Sequence, residues 1–115
     1  MDRKEKQEKK QNISQYVDLA NGRYTDDEID RLIDLVNNRN KYNGKSKTIK
    51  NSYDSWSSDG KYTRDEETTY IFQNKPDGIC IKEDYQFFDD DGHSGKTETE
   101  HRSAREILKL SKVLL

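Results

Sequence analysis

The chain has 115 residues, of which 29% are hydrophobic and 38% charged, and its 21 basic and 23 acidic residues leave a formal net charge of −2. That length is one small domain with little apolar material for a core, so a second copy of the chain or a ligand is expected to supply burial, and a homo-oligomer is the expected state. The near-cancelling charge excludes the basic surplus of a dedicated DNA or RNA binder and the acidic surplus of a DNA mimic.

Residues 1–12, MDRKEKQEKKQN, carry mixed charge and almost nothing apolar. They read as a charged tail or a solvated helical extension, with a single domain over 13–115. In ISQYVDLA, Ile13, Tyr16, Val17 and Ala20 sit at helical spacing, and Asn21-Gly22 suits a left-handed C-cap. A second helix opens on Thr25-Asp26-Asp27-Glu28, a capping box whose acids also suit the helix dipole. Its stripe is Ile29, Leu32, Ile33 and Val36, and Asn43-Gly44 marks the exit.

From Lys45 the period becomes alternating. KSKTIKNSYDSW reads as a strand with Ile49 and Tyr53 on one face, and SSDG as a turn. KYTRDEETTYIFQ is a long strand with Tyr62, Tyr70 and Phe72 on one face, followed by the turn NKPDG. GICIKEDYQFF sets Ile79, Ile81, Tyr85 and Phe87 on one face, with Cys80 and Phe88 on the other. These turns carry hairpin chemistry. After DDDGHSG, the polar KTETEH reads as an edge strand. Its charges blunt edge pairing in general, although a specific partner strand could still add there. A last helix opens with a second capping box, Ser103-Ala104-Arg105-Glu106, and carries Ile107, Leu108, Leu110, Leu114 and Leu115. The expected fold is α+β: an N-terminal helical hairpin, an antiparallel sheet of about four strands, and a C-terminal helix packed on the sheet.

Catalytic, metal and cofactor chemistry find little support in these residues. Asp89, Asp91, Gly92 and Glu98 fall on consensus positions of an EF-hand loop, but Phe87 would be its first ligand and the flanks are strands, so the stretch reads as a hairpin turn. Cys80, His93 and His101 do not make a zinc set. Ser94 beside His93 lacks a nucleophile elbow, and Glu66-Glu67 point to opposite faces of a strand. No Walker or Rossmann glycine loop is present. The lone cysteine excludes an intrachain disulfide and reads as a buried strand residue in a reducing compartment. No apolar run has the length of a membrane span, so the expected location is cytoplasmic, with no membrane partner.

Binding has more support. The last helix offers free backbone N–H groups to an anion, flanked by Arg102 and Arg105, and arginine holds phosphate bidentately. Phe88 and Tyr85, ending the strand before the DDDGHSG loop, add stacking rings, and rings, hydroxyls and phosphate donors together suit a nucleotide-like ligand. Each also has a plainer structural reading: a first-turn arginine pairs with neighbouring carboxylates, and a phenylalanine before a turn fills core.

The order KNSYDSW, YTRDEETTYIF, EDYQFFDDDGHSG and SAREIL, spanning 46–110 in pattern, resembles the phage Thoeris anti-defence proteins, the Tad signal sponges. The resemblance implies a non-enzymatic, oligomeric protein in the cytoplasm of a bacterial host cell. It would capture a cyclic ADP-ribose-type messenger made by TIR-domain proteins, binding it where protomers meet and needing no cofactor. It carries over to Phe88, Asp91, Ser94 and Arg105. The alternative expectation is an anti-CRISPR-like protein that blocks a bacterial defence nuclease or effector by direct contact. A ligand-free structural module of a mobile element is the third.

Overall fold

In chain order the elements are α1 (Arg3–Ile13), α2 (Asp26–Asn37), α3 (Arg39–Tyr42), β1 (Ser46–Ser57), β2 (Gly60–Lys75), β3 (Gly78–Asp89), β4 (Ser94–His101) and α4 (Ala104–Leu114). This computed structural model describes residues 2–20, 22–57 and 60–115. Ser58 and Asp59 of the expected SSDG turn, and Asn21 of the expected cap, lie outside the described residues.

The charged N-terminus is helical. Asp2 caps α1 by accepting from the Glu5 N–H at 2.7 Å, and the Lys and Glu run has good helix propensity. Only Ile13 of α1 is buried, so charge also ties the helix to α2, through Lys6–Asp26 at 3.3 Å and Lys9–Asp30 at 3.4 Å. The expected ISQYVDLA helix is absent. Ser14–Tyr16 make a turn and the chain then runs irregularly. The reason lies in its backbone partners: the Tyr16 carbonyl accepts from Ile79 at 2.8 Å and the Asp18 carbonyl from Ala104 at 2.7 Å. Ile13 and Val17 are buried, so their spacing reflects a turn that drops two side chains into the core.

The second helix follows its sequence signals. Thr25 Oγ1 accepts from the Glu28 N–H at 3.1 Å, and Glu28 Oε1 accepts from the Thr25 N–H at 2.8 Å. Ile29, Leu32 and Val36 are buried; Leu35 joins them, while Ile33 is half-buried. In α4 the Ser103 hydroxyl accepts from the Glu106 N–H at 3.3 Å, and Ala104, Ile107, Leu108 and Leu110 face inward.

The four strands form one antiparallel meander in the order β1-β2-β3-β4. The register sets Phe72 opposite Ile81, and Ile81 opposite His101. Side chains alternate as expected, with Phe72, Ile79 and Ile81 on the helix side and Cys80 and Phe88 on the reverse. The helices cover only one end. Of the buried strand residues, Phe72, Ile79 and Ile81 share one core with residues of α2 and α4 and with Val17 and Tyr24, while Cys80 is buried on the reverse face. The sixteen residues of β2 reach roughly 50 Å at the usual rise, and the molecule measures 63 × 25 × 20 Å. More than half of the sheet therefore projects beyond its helices. No helix among the described residues is long and apolar enough to cross a membrane.

Candidate functional site

The β3–β4 turn sits at the outer tip of the sheet. Its geometry is that of a hairpin: Asp89 N–H donates to the His93 carbonyl at 2.9 Å, and Gly92 N–H donates to the Asp89 carbonyl at 3.2 Å. Gly92 takes a φ of +85°, which favours glycine. Asp90 pins the turn to β2, with its N–H donating to the Thr63 carbonyl and its carboxylate accepting from the Thr63 N–H, both at 3.1 Å. Phe88 and Ser94 lie opposite each other in the ladder, and Asp91 is exposed between them. These three expected site residues are thus neighbours.

Arg102 and Arg105 are elsewhere. The eight residues of β4 span roughly 25 Å, with the turn at one end and the start of α4 at the other. The expectation that Arg105 faces Phe88 is corrected by this geometry, because a fully extended strand separates them. Both arginines also have partners from their own chain. Arg102 contacts Asp77 and Glu100, each at 2.9 Å. Arg105 pairs with Glu28, donates to the Arg23 carbonyl, and lies over the Tyr24 ring at 4.5 Å. The plainer reading, an arginine paired with neighbouring carboxylates, describes Arg105 in the first turn and Arg102 just before the cap.

Phe88 is 53% exposed and lines a hollow of about 410 Å³ with Lys50, Asn51, Ser52, Asp65, Glu66 and Glu67. Of these, Asp65 and Glu67 turn their carboxylates to the Phe88 face against the one ammonium of Lys50, which makes that hollow unfavourable for a phosphate. The other face of the outer sheet is aromatic. Tyr85 and Phe87 lie side by side with ring centroids 6.3 Å apart, and the Arg64 guanidinium covers Phe87 at 4.5 Å. Tyr53 stands opposite Arg64 in the register. Among the described residues the exposed large hydrophobics are Tyr53, Trp56, Phe88 and Leu115. The first three all belong to the outer half, and Trp56 is 79% exposed.

Three groupings had not been anticipated from sequence. Asp89, Asp91 and His93 bring their ligating atoms within 4.8 Å of one another. The alternating D-x-D-x-H spacing was the available signal. Asp89, the buried member, is already engaged by the His93 N–H at 2.9 Å and by Arg64 at 3.9 Å. At the inner end, Glu100 accepts from Lys75 at 2.6 Å, from the Cys80 thiol at 3.2 Å and from Arg102. Lys75, then Cys80 and Arg102, hold its carboxyl down at about 2, while burial, then Glu100, pushes the Cys80 thiol up to about 11. A thiol so protonated is a poor nucleophile, in keeping with its reading as a buried strand residue. Third, His101 lies between Glu83 and Glu106.

No protein-family model matches the chain, and no curated protein and no solved structure matches it.

Proposed function

We propose that this protein acts by binding, without catalysis, and that its outer half sheet docks a protein partner. The observation that carries the reading is the exposure of three aromatic rings on the part of the sheet beyond its helices, Trp56 and Phe88 on the reverse face and Tyr53 on the opposite one. Exposed aromatic side chains on a rigid strand cost little entropy to immobilise and are the usual anchors of protein interfaces. The surrounding alternation of charge suits a polar rim. The partner class is that expected for a small anti-defence protein, a bacterial defence nuclease or effector. Purified candidates mixed with the chain on a sizing column, with no small molecule added, test this. A stable complex is expected. The Trp56→Ala, Phe88→Ala double variant should lose about 30-fold or more in affinity, since truncating an anchor costs about 2 kcal/mol.

The nucleotide-sponge reading is a second proposal, favoured by one feature: exposed Phe88 beside Ser94 and Asp91 offers a stacking ring next to polar groups. In that reading the phosphates need cations from another protomer, because the chain's own Arg102 and Arg105 lie at the far end of β4. Calorimetry with cyclic ADP-ribose isomers separates the two readings. Heat that disappears in Phe88→Ala supports the sponge, and no heat with any isomer removes it.

A further inference from the structure

Strand β4 is one edge of the sheet, and Lys96, Thr97, Glu98, Thr99 and Glu100 along it are all exposed. The Asp18–Ser103 bridge occupies the chain just past His101. The free edge is therefore Ser94–His101, and its midpoint falls between Thr97 and Glu98. An unpaired edge of this length is a template for another strand.

We propose that the occupant is β4 of a second copy of this chain, paired antiparallel about a two-fold axis at Thr97. An axis normal to the sheet keeps each side chain on its own face, so only residues of like parity meet. Thr97 then faces the partner's Thr97, Lys96 faces the partner's Glu98, and Glu98 faces the partner's Lys96. Two opposite-charge pairs and a threonine pair are all favourable cross-strand combinations. The registers on either side are worse. Centring on Lys96 sets that ammonium against itself. Centring on Glu98 opposes two carboxylates, and its compensating pairs would use Glu100, which Lys75 and Arg102 hold at 2.6 and 2.9 Å, whereas Glu98 has Lys82 beside it at the looser distance of 3.5 Å and is 57% exposed. Alternating charge on this edge thus resists indiscriminate pairing and permits one self-complementary register.

The other edge, β1, is a weaker candidate. Its self-pairing about Ser52 would need Asp54 to meet the partner's Lys50, but Asp54 is engaged by Lys61 at 3.2 Å and Thr63 at 3.0 Å. Pairing through β4 makes one continuous sheet of the two copies. It leaves the outer aromatic face open, and it is independent of what that face binds.

Sedimentation equilibrium of the full chain across the micromolar range tests the interface, with circular dichroism melts confirming that each variant folds. The wild type should dimerise. Lys96→Glu alone and Glu98→Lys alone each turn two attractions into repulsions and should weaken the dimer about tenfold or more. The exchange of both charges should restore it. A wild type that stays monomeric throughout overturns the proposal. Folded single variants that dimerise like the wild type overturn it too, and loss of the dimer on Lys50→Asp instead moves the interface to β1. A double exchange that stays monomeric overturns the Thr97 register.

Discussion

The inner and outer halves of the sheet are made of similar sequence and live in different surroundings. Phe72, Ile79 and Ile81 are fully buried under α2 and α4. Phe88, seven residues further along β3, and Tyr53 and Trp56 on the outer part of neighbouring β1 are about half exposed or more. The inner half spends its aromatic and aliphatic residues on stability, since buried apolar area is the main favourable term in folding. The outer half is held by its ladder and by cross-strand polar pairs such as Thr63–Asp54 at 3.0 Å, which leaves its rings available to a partner. Stability and recognition are separated along one set of strands.

The sharpest way to break that comparison is to truncate one ring from each half. Phe72→Ala should cost about 3–5 kcal/mol in urea unfolding, because it removes a buried ring and leaves a cavity. Phe88→Ala should stay within about 0.5 kcal/mol of wild type. Equal losses would mean that the outer half is covered in solution. The glycines offer a second contrast. Gly78 has φ +139° and a Cβ there would lie 2.6 Å from the Tyr16 carbonyl oxygen, whereas Gly92 has φ +85° and open space around it. Gly78→Ala should cost more than about 2 kcal/mol, combining backbone strain with a clash against fixed backbone. Gly92→Ala should cost about 1–2 kcal/mol, the strain alone. Denaturant midpoints of the two variants at constant m-value check the order.

The meander, the capping box of α2, the Ser103 cap and the last helix were legible because each rests on a local signal of period, cap or turn chemistry, although the Glu106 side chain of the second expected box pairs with His101. ISQYVDLA was misread because its carbonyls serve partners far away in sequence, Ile79 and Ala104, and spacing cannot show that. How far the helices reach over the sheet was not legible either. Tyr62, Tyr70 and Phe72 alternate identically whether a helix or water lies above them. The separation of Phe88 from Arg105, by contrast, was already implied by reading KTETEH as a strand, since extended residues add roughly 3.3 Å each. Neighbours in sequence across a strand are distant in space, and that arithmetic divides the expected site.

Ser103→Ala and Arg105→Ala sharpen the comparison at the junction where α4 meets the sheet. Loss of the Ser103 cap should cost about 1 kcal/mol. Arg105 is half-exposed, and its bond to Glu28 is screened by solvent, so its removal should cost less than about 1 kcal/mol. Thermal melts rank the pair. A larger loss for Arg105 would show that its seat over Tyr24 contributes more than the ion pair.

The smallest effect belongs to His101, which joins the inner sheet to α4. Burial opposes protonation of its ring, but hydrogen bonds and charge from Glu106 and Glu83 outweigh it and raise its pKa above the ordinary 6.5. With both ring nitrogens facing carboxylates, the doubly protonated form is the one that donates on both sides. The folded state therefore binds this proton more tightly than the unfolded chain does. Its contribution to stability is fully present below about pH 6.5 and is lost as pH rises through the higher folded value. His101→Gln should flatten that decline, with unfolding midpoints of the two proteins converging as the pH is raised. Parallel profiles would mean that His101 binds its proton equally in the folded and unfolded chains, so that Glu83 and Glu106 confer no net stabilisation through it.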